Sequence, residues 1–120
     1  MKDIKRYCQA LDLVDDPALI SEYETMHKHI WPEVAANIRA SGVVDMQIYR
    51  VGNRLFMIMD VDSSFSFEKA DKLNKSNRRV QEWEELMWKF QLPTPWTPSG
   101  EKWILMEQIF SLSDQPGSNN

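Results

Sequence analysis

The sequence predicts an α+β fold: a ferredoxin-like βαββαβ sandwich in which helices cover one face of an antiparallel sheet. The central observation is a pair of strands, 43–51 and 54–61, joined by Gly52-Asn53, a dipeptide suited to a tight hairpin turn. Apolar residues at helical spacing lie before and after this pair, and outer strands are predicted at 4–14 and 102–110. This order of elements is typical of a two-layer domain.

The first half of the chain predicts one strand and two helices. After strand 4–14, Asp16 can cap a helix whose first residue is Pro17. Pro32 should interrupt this helix, because proline lacks the amide hydrogen and its ring clashes with the preceding turn. A second helix then ends before Gly42, a residue type favoured just past helix C-termini. The apolar stripe of the first helix comprises Leu19, Ile20, Tyr23, Met26 and His27.

The second half predicts two more helices and a final strand. A helix over 65–74 is followed by one over 77–91 and, after a proline-rich loop, by strand 102–110. We therefore expect a single domain over 1–112, with a disordered tail over 113–120. The inward stripe of the second helix comprises Val80, Trp83, Met87 and Phe90.

The strand at 54–61 is apolar on both faces, which predicts an association between two copies. Phe56 and Ile58 lie on one face, and the other carries Leu55, Met57, Met59 and Val61. Helices can cover only one face, and a monomer rarely leaves an apolar patch of this kind in water. We therefore expect a homodimer whose sheets face each other, a dimeric α/β barrel. Two sets of late residues could extend the contact: Ile104 and Met106, or Trp103 and Leu105.

The composition argues against several classes of partner. The 120 residues carry a net charge of −4 and contain no basic cluster, so nucleic acid is not an expected partner. No segment approaches the roughly 18 apolar residues of a membrane span, and no signal-peptide pattern is present. The single cysteine, Cys8, cannot form an intramolecular disulfide. Together these features favour a cytoplasmic protein without a membrane partner.

Few side chains in this sequence are suited to catalysis. The two histidines are His27 and His29, and without a third histidine or a cysteine cluster we expect no metal. The sequence contains no phosphate-binding loop or nucleophile motif, and we expect no cofactor. By spacing alone, His27 is more simply a core histidine, one helical turn after Tyr23. His29 is more simply a solvated residue near the helix end.

A resemblance to a known family changes the interpretation of His27. The segment His27-Lys28-His29-Ile30-Trp31-Pro32-Glu33 resembles the H-x-x-I-W-P-E segment of the L-rhamnose mutarotase family, with Glu22-Tyr23 upstream at the family's spacing. Likeness continues at Ile48-Tyr49, Leu55-Phe56 and Gln81-Glu82-Trp83, and covers about nine-tenths of the chain. The resemblance implies an isomerase, a mutarotase that interconverts the α and β anomers of a 6-deoxyhexose such as L-rhamnose or L-fucose.

The resemblance also implies roles for individual residues. His27 would be the catalytic residue, while Tyr23, Tyr49 and Trp83 would bind the monosaccharide. One departure concerns the pocket wall: this chain has Glu84 where a family member carries a second tryptophan. Trp96, in the proline-rich loop over 93–100, could contribute what that tryptophan does not.

The chemistry of mutarotation suits a histidine. Opening the hemiacetal ring requires a proton at the ring oxygen and removal of one from the anomeric hydroxyl. Histidine, with an ordinary pKa of about 6.5, can give and take protons near neutral pH. Three alternatives remain open at this point: a cofactorless monooxygenase on the same dimeric barrel, a sugar-binding module without activity, and a haem protein using a lone histidine.

Overall fold

A computed structural model describes residues 3–117, and its elements follow the predicted order. The first half contains β1 (Lys5–Leu13), α1 (Pro17–Met26), α2 (Pro32–Ala40), β2 (Val43–Val51) and β3 (Arg54–Val61). The second half contains α3 (Phe67–Ser76), α4 (Arg78–Met87), β4 (Gln91–Leu92), β5 (Ile104–Leu105) and a 3₁₀ turn (Leu112–Asp114). Within the described residues, no helix is both long and apolar enough to cross a bilayer.

The sheet confirms the ferredoxin-like arrangement. Its strands are antiparallel in the order β2-β3-β1, and both β4 and β5 pair with the remaining edge of β1. The helices occupy one face, where the core forms between them and the sheet in two clusters. The buried apolar members of the larger cluster are Leu13, Tyr23, Val34, Leu55, Val80, Trp83, Met87 and Phe90.

Local signals in the sequence place the helix ends. Asp16 caps α1 by accepting hydrogen bonds from the backbone N–H groups of Ala18 (2.9 Å) and Leu19 (3.3 Å). Pro32 is the first residue of α2, where its missing N–H has no consequence. Gly42 follows the end of α2 with φ of +106°, and a Cβ there would lie 2.8 Å from the backbone nitrogen of Phe65. Only glycine fits that position without strain.

The predicted boundaries are wrong at the end of the fourth helix and in the last strand. The helix expected over 77–91 ends at Met87, because the chain then turns to the edge of β1, where the Phe90 carbonyl accepts a hydrogen bond from Val14 N–H (2.8 Å). Gln91 and Leu92 pair with β1 just beyond. β4 and β5 therefore share that edge of β1. The strand expected over 102–110 is shortened to the two residues of β5, followed by one further hydrogen bond from Met106 N–H to Cys8 O (2.8 Å).

Two other expectations about boundaries differ in detail. The helix predicted over 65–74 begins at Phe67, after the cap Ser66, and continues to Ser76. The 3₁₀ turn enters the segment 113–120 that was predicted as a disordered tail, and residues 118–120 lie outside the described residues.

The alternation along β3 divides its side chains as predicted. Leu55, Met57, Met59 and Val61 are buried beneath the helices, whereas Phe56 and Ile58 lie half-buried on the opposite face. We call that opposite side the open face. Strand pairing decides which residues near the end of the chain extend the open face. Ile104 pairs with Ala10, and Ala10 pairs with Phe56 on the open face. Ile104 and Met106, two residues further along, therefore lie on the open face as well. Trp103 packs instead into the core beneath the helices.

Candidate active site

His27 lies at the C-terminal cap of α1, where the end of the helix fixes its imidazole. Its Nδ1 lies 2.8 Å from the backbone oxygen of Tyr23. Since a carbonyl oxygen only accepts, Nδ1 carries the hydrogen and donates it. In the neutral ring, Nε2 is then an acceptor. Among the described residues the only hydrogen bond of the imidazole is the one at Nδ1, and Nε2 is not one of the buried atoms without a partner, so Nε2 is accessible and can accept from a ligand.

Two aromatic rings hold the imidazole from either side. The ring centroid of Tyr23 lies 4.1 Å from that of His27, and the Trp83 centroid lies 5.6 Å away in an edge-on arrangement. Trp31 in turn packs edge-on against Trp83 at 5.1 Å. The helices α1 and α4 thus bring Tyr23, His27 and Trp83 together, although Tyr23 and Trp83 are far apart along the chain.

These three side chains line a cavity of about 270 Å³ between the helices and the sheet. That volume lies just below the roughly 300–1,000 Å³ of pockets for drug-sized ligands, which suits a monosaccharide. Apolar side chains such as Met57 and Met59 form its floor, and several polar groups reach into it. The polar lining residues besides Tyr23 and His27 are Gln9, Asn37, Ser41, Asn74, Glu84 and Gln91.

Burial moves the pKa values of the two titratable side chains in opposite directions. It lowers the pKa of His27 below 6.5, and the hydrogen bond to the Tyr23 backbone opposes this only in part. Burial raises the pKa of Tyr23 to about 12; the Gln91 side chain opposes the rise and the negative charge of Glu84 adds to it. At neutral pH the cavity therefore holds a neutral imidazole beside a protonated phenol, one suited to accept a proton and the other to donate one.

Tyr49, the fourth residue of the predicted site, does not line this cavity, and its role in binding sugar stays a prediction. Its neighbour Ile48 packs into the core beneath the helices, whereas Tyr49 pairs with Phe56 and so lies on the open face, 57% exposed. Successive side chains of a strand point to opposite faces, so Ile48 rather than Tyr49 faces the helices. At the edge strand β2, however, Tyr49 lines a second, more open depression of about 500 Å³ together with Tyr23, His27 and Ile48.

Gln91 and Glu84 are among the polar residues of the cavity to which sequence reasoning gave no role. Gln91 carried no signal beyond being polar between two apolar neighbours, in a segment predicted to be helical. Glu84 was noted only as a departure from the family. The Lys102 ammonium donates to a Glu84 carboxylate oxygen (2.9 Å) and to the Glu84 backbone oxygen (3.0 Å), and lies 4.6 Å from the centre of the Trp88 ring. These contacts hold Glu84 at the cavity wall.

The remaining predicted residues lie outside the cavity. His29 is exposed in the turn after α1, and Trp96 is 66% exposed, with the Arg54 guanidinium 4.9 Å from its ring centre. Within residues 3–117, no three histidine, cysteine or carboxylate side chains cluster as metal ligands would.

Comparison with known proteins places the chain in a family. The family model described as L-rhamnose mutarotase matches residues 6–112. The chain belongs to the L-rhamnose mutarotase family. The predictions of a mutarotase, and hence of an isomerase acting on a sugar, are confirmed. The residues that line the cavity, from Gln9 to Trp103, all fall within the matched range.

Individual relatives agree with this assignment. An L-fucose mutarotase from Xanthomonas campestris pv. campestris is 40% identical over 113 residues, which cover 92% of this chain and 90% of the relative. A UPF0734 protein from Dictyostelium discoideum is 38% identical over 117 residues, with 92% and 91% coverage. The crystal structure of an L-rhamnose mutarotase from Formosa agariphila superimposes with a TM-score of 0.64 at 20% identity, covering 90% of this chain and 98% of that one, and confirms the fold.

Proposed function

We propose that this mutarotase interconverts the α and β anomers of an L-6-deoxyhexose, with L-fucose as its preferred substrate. The observation that carries the proposal is the pairing of an available imidazole Nε2 with a protonated phenol in one cavity of monosaccharide size. The choice of L-fucose is supported by the Xanthomonas relative, which carries that name at 40% identity over nearly the whole chain.

The proposed mechanism uses His27 as base and Tyr23 as acid. Nε2 of His27 takes the proton of the anomeric hydroxyl while the Tyr23 hydroxyl gives its proton to the ring oxygen, so the ring opens to an aldehyde. Ring opening leaves an imidazolium at His27 and a tyrosinate at Tyr23. Because the pKa of Tyr23 is about 12, this tyrosinate is a strong base that takes its proton back when the ring closes. After rotation about the C1–C2 bond, the reverse transfers close the ring on the other face and restore both side chains.

Trp83 is proposed to bind the apolar part of the sugar. It lies beside His27 and is 5% exposed, so its ring borders the cavity without facing bulk solvent. An indole face of this kind contacts C–H groups or a methyl group favourably, while the hydroxyls are left for the polar lining. A 6-deoxyhexose, with a methyl group in place of a hydroxymethyl, matches a cavity that combines methionine and tryptophan with a few polar groups.

The direct test is saturation-transfer NMR between the anomer signals of free sugars. L-fucose should exchange faster than L-rhamnose when the protein is added, and both faster than in buffer. L-galactose, which differs from L-fucose only in its 6-hydroxyl, is the matched control for the methyl group and should exchange more slowly. Unchanged exchange for all these sugars would refute the proposal, and binding of L-fucose without faster exchange would indicate a sugar-binding module instead.

We further propose that the protein functions as a homodimer joined through its open face, in the cytoplasm. The centre of this face is apolar, with Phe56, Ile58 and Met106, and ion pairs lie towards its ends: Arg6–Asp60 (2.8 Å) and Arg54–Asp12 (2.7 Å). An apolar patch with a polar rim is typical of an interface. The segment after β5 adds uncovered apolar side chains, with Ile109 92% exposed. A reducing compartment is consistent with the free thiol of Cys8.

Light scattering at micromolar concentration tests the dimer. The wild-type mass should be twice that of the 14.1 kDa chain, and Ile58→Arg should reduce it to that of one chain, because a charge would be placed in the centre of the interface. Ala36→Arg places the same charge on an exposed position of α2, in the other layer, and should leave the dimer intact. A wild-type protein with the mass of one chain would overturn the proposal.

A further inference from the structure

Gln91 has a position that neither the family assignment nor the proposed proton transfers explain. It belongs to β4, pairs with Leu13 of β1, and is only 7% exposed. Its side chain lines the same cavity as Tyr23 and His27. A long amide side chain that is buried to this degree normally has hydrogen-bond partners for both of its polar atoms.

In Gln91, only one of these two atoms has a partner. Nε2 donates to the Tyr23 hydroxyl oxygen at 3.4 Å, whereas Oε1 is the single buried side-chain nitrogen or oxygen atom without a partner among the described residues. Rotating the amide by half a turn would exchange the two atoms and leave the nitrogen unpartnered instead. In either orientation the protein alone leaves one polar atom of Gln91 unsatisfied, and such an atom carries the full penalty of desolvation.

The place of Gln91 at the cavity indicates what kind of group would satisfy Oε1. Oε1 needs a donor, and the side chain it belongs to is bonded to the hydroxyl proposed to protonate the sugar ring. A hydroxyl of a bound sugar is a donor that is present in this cavity during every catalytic cycle. Resting on the proposed function, we propose that Gln91 is a substrate-binding residue whose amide oxygen accepts a hydrogen bond from a sugar hydroxyl, while its N–H holds the Tyr23 hydroxyl in position.

The test compares Gln91→Met, which keeps length and volume but removes both polar atoms, with the wild-type protein. L-fucose binding is measured as the rise in melting temperature with increasing sugar, and turnover by NMR exchange. The value of kcat/KM should fall roughly 2- to 15-fold, the effect of one neutral hydrogen bond of about 0.5–1.5 kcal/mol, mainly through KM. Without sugar the melting temperature should change little, because the variant removes the unpartnered oxygen but also the N–H that bonds the buried Tyr23 hydroxyl. If the methionine variant fails to fold, Gln91→Leu replaces it.

Thr94→Val is the matched control. Thr94 is 3% exposed and lies near Gln91 in sequence, but its hydroxyl bonds to the Thr97 hydroxyl (2.9 Å) and to the Trp96 N–H (3.3 Å), and it does not line the cavity. Its loss should lower the melting temperature and leave the sugar-induced rise unchanged, the opposite pattern from Gln91→Met.

Deoxygenated sugars test the contact itself. Among 2-deoxy, 3-deoxy and 4-deoxy analogues of L-fucose, one should bind wild type and Gln91→Met equally well, because it lacks the hydroxyl that Oε1 accepts from. A lower melting temperature of Gln91→Met with unchanged L-fucose binding would overturn the inference. Gln91 would then be a structural residue whose free oxygen is satisfied by water. Since binding is read apart from turnover, wild-type binding without anomer exchange would refute the proposed function and still decide the role of Gln91. A wild-type protein that neither binds nor exchanges L-fucose or L-rhamnose would overturn both.

Discussion

Replacing His27 by asparagine separates its proposed proton transfer from its structural role. The asparagine amide nitrogen can occupy nearly the position of Nδ1, so it can keep the 2.8 Å hydrogen bond to the Tyr23 backbone oxygen. The variant loses Nε2 and cannot exchange a proton near pH 7. It also loses the ring contacts at 4.1 Å with Tyr23 and 5.6 Å with Trp83, each worth about 0.5–1.5 kcal/mol.

These contacts set the expected magnitudes. The free energy of unfolding should fall by about 1–3 kcal/mol, the sum of two aromatic contacts, which a domain of ordinary stability of about 5–15 kcal/mol survives. Catalysed anomer exchange of L-fucose should fall by about 10²–10⁴-fold, equivalent to about 3–5 kcal/mol of activation free energy. Urea unfolding measures the first quantity, and saturation-transfer NMR measures the second.

His29→Ala is the matched control, because His29 is exposed in the turn after α1 and has no place in the cavity. It should keep full activity. A folded His27→Asn protein that exchanges the anomers as fast as wild type would show that the imidazole is structural and that the proposed mechanism is wrong.

The other expected outcomes concern three residues of the site and its supports, His27, Tyr23 and Gly42. Because burial lowers the pKa of His27, kcat/KM for L-fucose should be constant at neutral pH and fall with decreasing pH through a midpoint below 6.5; a midpoint above 6.5 would contradict the neutral base. Because of the same shift, His27 takes up a proton at a higher pH in the unfolded chain than in the folded one. The free energy of unfolding should therefore decrease as the pH falls from 6.5 towards the lowered pKa, and this pH dependence should be absent from His27→Asn. Tyr23→Phe should reduce kcat at least about tenfold by removing the acid. The wild type should also lose stability between pH 10 and about 12, where only the unfolded chain has released the Tyr23 proton, and this loss should be absent from the phenylalanine variant in pH-dependent urea unfolding. Gly42→Ala should destabilise the fold by about 1–3 kcal/mol, since it forces alanine into φ of +106° with a Cβ 2.8 Å from Phe65 N; unchanged unfolding in urea would show that the α2–β2 turn relaxes freely.

The elements that the sequence predicted well are those with a local physical cause. Asp16 followed by Pro17 determines where α1 begins, and Gly42 determines how α2 ends, because each acts through its own backbone or cap. The division of β3 into a covered and an open face follows from a period of two residues. The grouping of Tyr23 with His27 also follows from local spacing, since residues four apart on a helix lie on the same side.

The elements that escaped prediction depend on contacts between distant segments. Nothing in residues 77–91 indicates that the helix stops at Met87, because the reason is the unpaired edge of β1 that receives Gln91. The face on which Tyr49 lies escaped prediction for a different reason: alternation separates Tyr49 from Ile48, but it does not say which of the two faces the helices until the sheet is assembled. The role proposed for Gln91 requires knowing which buried atom lacks a partner, which no sequence pattern reveals.

The break between α1 and α2 connects the fold to the proposed chemistry. Pro32 cannot continue a helix, and Trp31 before it is extended (φ −60°, ψ 133°), so α1 must end upstream. A helix end leaves carbonyl oxygens without partners in the next turn, and the Tyr23 oxygen receives both the His27 backbone N–H (3.1 Å) and the His27 ring N–H (2.8 Å). The negative end of the helix alone would favour a charged imidazole, yet burial lowers the pKa below 6.5. The helix end therefore selects the tautomer with Nε2 free, and the surrounding aromatic rings keep that nitrogen unprotonated, as a base requires.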